Sequence, residues 1–140
     1  MQINHNEEFT KFYTEDMGLE ETSYQQIRIF KSYGAKERVS ISNTGNTKWY
    51  CIIDKNRLMV GCCGLYLAAK KCRIKGDYIF EYHRGKGYGE FITQCRLMIA
   101  KKLDYKMIEV YTLHPHYYEK KGFTIHKEMR KGVWLGTLDL

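Results

Sequence analysis

Tyr78-Ile-Phe-Glu-Tyr-His-Arg-Gly-Lys-Gly-Tyr-Gly-Glu90 is the stretch whose reading decides the fold. Tyr78, Ile79, Phe80 and Tyr82 suit a pleated, half-buried strand. Gly85, Gly87 and Gly89 then alternate with Lys86 and Tyr88, just after Arg84. Glycines at alternate positions let backbone N–H groups converge on one concavity and let a ligand come close to the chain. A helix starting at this turn adds its own unpaired N–H groups and the positive end of its dipole. Arg84 and Lys86 add formal charge. Strand, glycine turn and helix start together describe a phosphate site, most simply one for a pyrophosphate.

Downstream, Phe91, Ile92, Cys95, Met98, Ile99 and Leu103 form one apolar helical stripe, with Lys101 and Lys102 near its C-terminal end. Met107 to Tyr111 reads as a short strand, so Ile79 to Val110 is a strand–helix–strand unit with parallel strands. The single proline, Pro115, starts a brief helix reaching Lys121. Strands over 123–129 and 133–138 follow, split by Lys131-Gly132. Upstream, Trp49 to Ile53 and Leu58 to Leu67 form a hairpin across Asp54-Lys55-Asn56, and Lys70 to Gly76 reads as a basic loop. Val39 and Ile41 alternate like a strand before a turn at Asn43-Thr-Gly-Asn46. The N-terminal third reads as helical. Phe9, Phe12 and Tyr13 have helical spacing after Asn6, and Ser23-Tyr-Gln-Gln26 fits a capping box for a helix carrying Tyr24, Ile27 and Phe30. Gly34 is its expected stop, and Gln2-Ile3 is a weak strand signal.

The turn resembles the acyl-CoA signature of the GNAT acetyltransferase superfamily, Arg/Gln-x-x-Gly-x-Gly/Ala, met here by Arg84, Gly87 and Gly89. Tyr118-Glu-Lys-Lys-Gly-Phe123 resembles a second element of that family, Tyr-Glu-Lys-x-Gly-Phe. The order of elements from Trp49 to Leu138 is similar to the GNAT fold. The resemblance therefore implies an α+β fold, a mixed sheet flanked by helices, with residues 1–140 as a single domain. It implies acetyl-CoA as co-substrate, its pyrophosphate on the backbone N–H groups of Arg84, Gly85, Lys86, Gly87, Tyr88, Gly89 and Glu90. It assigns to the Ile79 N–H the acetyl carbonyl, and to Tyr118 the proton that goes to the departing thiolate. Tyr117 is the alternative donor. The family usually places an Asn before that tyrosine; here Leu113-His-Pro-His-Tyr117 follows Thr112, and His114 or His116 is the substitute at hand.

The acceptor amine must be neutral to attack, and an alkyl ammonium titrates near pH ~10.4. Glu81 leads the candidates for the base, beside Asp77 and His83. Attack is direct in the family, without a covalent enzyme intermediate. Cys62, Cys63 and Cys95 have no His spaced to activate them.

Composition bounds the remaining readings. The five cysteines are an odd number without a Cys-x-x-Cys pair, which fits reduced thiols and no metal site. The chain lacks an apolar run of membrane-spanning length or a signal-peptide stretch, so the expected setting is cytoplasmic, as a monomer or homodimer. A net charge of +7 is spread in short groups such as Lys70-Lys71 and Lys120-Lys121. Scattered charge of this kind marks a solvated surface together with an anionic ligand. The same charge and twelve tyrosines would also suit the alternative, a nucleic-acid-associated protein on a GNAT-like fold that either binds only or acylates a nucleic-acid-linked amine. A dinucleotide module fails, because the glycines are spaced by two and the chain has one crossover unit.

Overall fold

Alternating apolar residues dominate the chain from Thr47 onward, and there the computed structural model, which describes residues 1–140, builds its central strands. In chain order the elements are β1 (Asn4–His5), β2 (Lys11–Tyr13), β3 (Met17–Thr22), α1 (Tyr24–Ile27), α2 (Phe30–Lys36), β4 (Thr47–Asp54), β5 (Met59–Leu67) and β6 (Cys72–Ile79). Then come α3 (Tyr88–Lys102), β7 (Met107–Thr112), α4 (Pro115–Lys120), β8 (Thr124–Arg130) and β9 (Val133–Asp139). All nine strands belong to one sheet, ordered β1-β2-β3-β4-β5-β6-β7-β9-β8. Every neighbouring pair is antiparallel except β6 and β7, the crossover around α3. No helix is long and apolar enough to cross a membrane.

The sheet carries a core on each face. The larger packs α3 and α4 against one side, with Phe91, Ile92, Cys95 and Ile99 meeting Ile52, Val60, Leu65 and Ile108. Each such side chain, fully withdrawn from water, contributes about 1.5–3 kcal/mol. The smaller core holds α1 and α2 on the other side through Ile27, Phe30, Ile41, Trp49 and Tyr78.

The first third differs from its sequence reading. The Asn6 side chain accepts from the backbone N–H groups of Thr10 and Lys11 and donates to Thr10 Oγ1. This local competition with the helix ladder turns 6–11 into a loop. Phe12 is then buried in the short β2 while Tyr13 points out. Gly34 lies inside α2, whose stop is Arg38 at φ +62. Arg38 N–H donates to Ala35 O and Val39 N–H to Gly34 O, the paired bonds of a Schellman ending. Ser23 precedes α1 without a side-chain cap bond. Val39 and Ile41 make no strand: Ile41 is buried under α1, and Tyr24 Oη donates to its carbonyl.

Lys70 to Gly76 is mostly strand, since β6 begins at Cys72. β6 ends at Ile79, and Glu81–His83 form a single 3-10 turn that leaves Tyr82 exposed. A bulge interrupts β6. Lys75 pairs with Gly64 and Tyr78 with Cys62, so Gly76 and Asp77 together oppose Cys63. Gly76 holds φ +67 against the Trp49 ring, where a Cβ would stand 2.6 Å from a ring carbon. The extra residue reverses the alternation. Ile74 and Cys72 face α3, Lys75 faces Trp49, and beyond the bulge Asp77 faces α3 while Tyr78 joins the α1/α2 core. A bulge also bends its strand. The parallel pairing of β6 with β7 runs over Cys72↔Ile108, Arg73↔Glu109 and Ile74↔Val110, and stops there.

Candidate functional site

Past Ile74 and Val110 the two parallel strands part, and a cleft of about 1100 Å³ opens between them. Gly76 to Ile79 form one wall and Val110 to Thr112 the other. Gly89, Ile92 and Thr93 of α3 and Tyr117 and Tyr118 of α4 close one side. Neighbouring residues of a strand turn their backbone groups to opposite edges. Phe80 N–H donates to Val60 O on β5, so the N–H and C=O of Ile79 face the open gap. The Ile79 carbonyl accepts from Arg84 Nε at 2.8 Å.

The glycine turn is an open cradle. Gly85 (φ +75) has no atom within 4 Å of where its Cβ would be, and Gly87 (φ +93) only a methionine methyl at 3.9 Å. Gly87 is the N-cap of α3 and no side chain caps the helix. Phe91 N–H is the first to bond back, to Gly87 O, so the N–H groups of Tyr88, Gly89 and Glu90 head the helix unpaired. The side chains expected to add charge there are turned elsewhere. Arg84 pairs with Glu37 at 2.8 Å and Lys86 lies over the Tyr82 ring. Tyr88 packs into the larger core, and Glu90 pairs with Lys121 at the end of α4. The turn therefore offers backbone, as its glycines require, and little side-chain charge.

Tyr118-Glu-Lys-Lys-Gly-Phe123 proves to be the ending of α4. Gly122 N–H donates to Glu119 O, Phe123 N–H donates to Tyr118 O, and Gly122 sits at φ +94. This is again a Schellman ending, with its usual apolar contact between the residues flanking it: the Tyr118 and Phe123 rings are 5.1 Å apart, edge to face. One hydrogen-bonded turn thus fixes the Tyr118 ring. The residue is buried, yet its hydroxyl makes no hydrogen bond and is not shut off from solvent, so it reaches into the cleft. Burial pushes the phenol above its ordinary pKa, and Asp77 adds to the shift. Tyr117 stands at the other end: it is exposed, and its hydroxyl lies 3.3 Å from where a Gly89 Cβ would be, at the first turn of α3.

The remaining candidates separate clearly. Asp77 lines the cleft, but both its oxygens bind Arg96, Oδ2 at 2.7 Å. Arg96 is fully buried on α3 and also donates to Gly64 O. Desolvation opposes its charge, but Asp77 outweighs it and keeps the guanidinium protonated. Glu81 sits exposed in the 3-10 turn and His83 beside it; neither is on the cleft walls. His114 lines the cleft mouth, while His116 pairs with Glu119 on the surface. Burial raises the thiols of Cys62, Cys63 and Cys95, Cys63 to about 12, so none is a thiolate near neutrality. Arg96 was hidden in the sequence because it occupies the same helix face as the apolar stripe. Its only signal was a charge between Ile92 and Ile99.

No protein-family model matches the chain, and no curated relative matches it. Solved structures do. A GNAT family acetyltransferase from Elizabethkingia anophelis with acetyl-CoA bound superposes with a TM-score of 0.69 at 16% identity, covering 91% of this chain and 100% of that one. A GNAT family acetyltransferase from Staphylococcus aureus gives 0.70 at 14%, over 89% and 99%. A spermidine N-acetyltransferase from Vibrio cholerae gives 0.70 at 14%, over 90% and 95%. The chain has the GNAT acetyltransferase fold, an α+β architecture.

Proposed function

We propose that this protein is an acetyl-CoA-dependent N-acetyltransferase. The observation that carries the reading is the alignment of an uncapped α3 N-terminus at Gly87 with a gap in the sheet that the Tyr118 hydroxyl enters. The residues fit the co-substrate: the open cradle at Gly85 and Gly87 leaves room for a pyrophosphate against the N–H groups of Gly87 to Glu90. Acetyl-CoA supplies an activated acyl thioester. The Ile79 N–H, facing the gap, holds the acyl carbonyl oxygen as charge develops on it. The amine nitrogen bonds the acyl carbon and the C–S bond breaks. The amine releases its proton to water, and Tyr118 gives its own to the leaving sulfur and regains one from solvent. Burial keeps Tyr118 protonated until that moment. Asp77 positions α3 against β6 through Arg96 and is not a free base, and Glu81 lies outside the cleft walls. Arg38, Lys71, Arg73, Lys75 and Arg130 on the cleft lining disfavour a polycation such as the spermidine of the Vibrio cholerae enzyme as acceptor.

Acetyl-CoA should raise the melting temperature, since a ligand bound only by the native state stabilises it. Gly87→Val, which forces a β-branched residue to φ +93, should abolish the shift, with an apo protein that folds but melts lower than the parent. Calorimetry at saturating acetyl-CoA with no heat of binding would reject the reading.

A further inference from the structure

The cleft passes through the sheet, and its second mouth lies on the face opposite α3. There Arg38, Lys71, Arg73, Lys75 and Arg130 line it. The only carboxylates on the lining are Glu37 and Asp77, and each is already paired, with Arg84 and Arg96. The glycine turn that would hold the CoA pyrophosphate belongs to the α3 side, so this charge is not needed for CoA.

Three of these cations have no acidic partner. The Arg130 side chain makes no hydrogen bond or ion pair, and its neighbour Glu128 accepts from Gly132 N–H instead. Lys75 donates to Ser42 O and Thr44 Oγ1 and lies over the Trp49 ring. Arg38 holds only the Lys131 carbonyl, at 2.8 Å, across the mouth. Arg38 also occupies a left-handed position that ends α2, where glycine is the favoured residue and a side chain is strained. Between the cations, the Arg73 guanidinium lies over the exposed Tyr111 ring at 4.3 Å and over Tyr66 at 5.6 Å, a flat guanidinium stacked on tyrosine.

We infer that this mouth receives a nucleic-acid strand, and that the acceptor is an amine carried on it. Arginines and a lysine without acid partners suit phosphates, and a guanidinium plane stacked on tyrosine suits a base face. This deepens the transferase reading and rests on it only for the source of the acetyl group.

The test is fluorescence anisotropy with a fluorescein-labelled, single-stranded 12-nucleotide DNA, on protein saturated with CoA so that the cofactor's nucleotide site is filled. Affinity should fall linearly with log salt, with a slope of about −2 for three phosphates. Arg38→Gly and Arg130→Ala should each weaken binding roughly 3- to 10-fold and flatten the slope by about 0.7, while Lys106→Ala at the far end of β7 changes neither. Arg38→Gly should melt no lower than the parent, which separates lost contact from lost fold. Absence of binding at 50 mM salt (about the low end of such titrations), or binding unaffected by both arginine variants, would overturn the inference. So would displacement of the DNA by a polyglutamate peptide of equal charge. If the DNA binds as expected but calorimetry shows no CoA binding, the strand-binding surface stands and the transferase reading alone fails.

Discussion

Tyr117 and Tyr118 are adjacent in α4, yet only one has its hydroxyl at the buried part of the gap. Phenylalanine at 118 keeps the ring contact with Phe123 and removes the proton. Tyr118→Phe should therefore fold, bind acetyl-CoA nearly as the parent does, and lose roughly 10²-fold in turnover, mainly in kcat. Tyr117→Phe, whose hydroxyl lies over the first turn of α3, should affect KM for acetyl-CoA more than kcat. Steady-state kinetics with the two variants in parallel check this; a full kcat in Tyr118→Phe would remove the donor from that position. At this scale the sequence was legible where a motif is also a local backbone structure. The element from Tyr118 to Phe123 is a single Schellman turn, so spacing alone fixes its geometry. Arg38 and Arg96 were not legible. One is defined by a positive φ and the other by a partner nineteen residues away in sequence, and neither leaves a local pattern.

At the scale of elements, the bulge in β6 does most to shape the site. It ends the pairing with β7 and turns Asp77 toward Arg96. Gly76→Ala would place a Cβ 2.6 Å from the Trp49 ring at φ +67. Overpacking and left-handed strain together should destabilise the protein by roughly 3 kcal/mol. Relief by straightening the strand would extend the β6/β7 ladder and narrow the cleft, so acetyl-CoA affinity should fall as well. Urea melts paired with calorimetry test both halves, and an alanine variant with parental stability would show that the glycine is not required. The bulge could not be read from 70–76, because a glycine among lysines looks like a loop. The N-terminal third misled for a related reason. β2 has three residues, too few to display alternation, and Phe9, Phe12 and Tyr13 share helical spacing by chance while Asn6 folds the backbone into a loop.

The molecule as a whole keeps many neutral acids out of water. Burial raises the thiols of Cys62, Cys63, Cys72 and Cys95, with Cys72 pushed to about 12, and raises the phenols of Tyr50 and Tyr118. Their folded pKa values lie above the unfolded ones, so above the unfolded thiol value the native state binds more protons than the unfolded state. Stability from these groups is then fully present below about pH 8.5 and falls as pH rises through the folded values, by about 1 kcal/mol per pH unit for each thiol. The urea midpoint should hold from pH 7 to 8.5 and drop steadily to pH 10.5; a flat profile would mean that the thiols reach solvent. From Trp49 to Leu138 the order of elements was readable, because long strands and one long helix carry strong periodicity. The basic mouth was not, since its cations come from the turn after α2, from the entry and body of β6 and from β8, and meet only in the folded chain. The single parallel junction has a mechanical side too. Two antiparallel panels, β1 to β6 and β7-β9-β8, are stitched along a seam of three residue pairs, with a slot at one end. A molecule lodged in that slot carries load from panel to panel, and the rigidity of the whole protein across the seam becomes a function of occupancy.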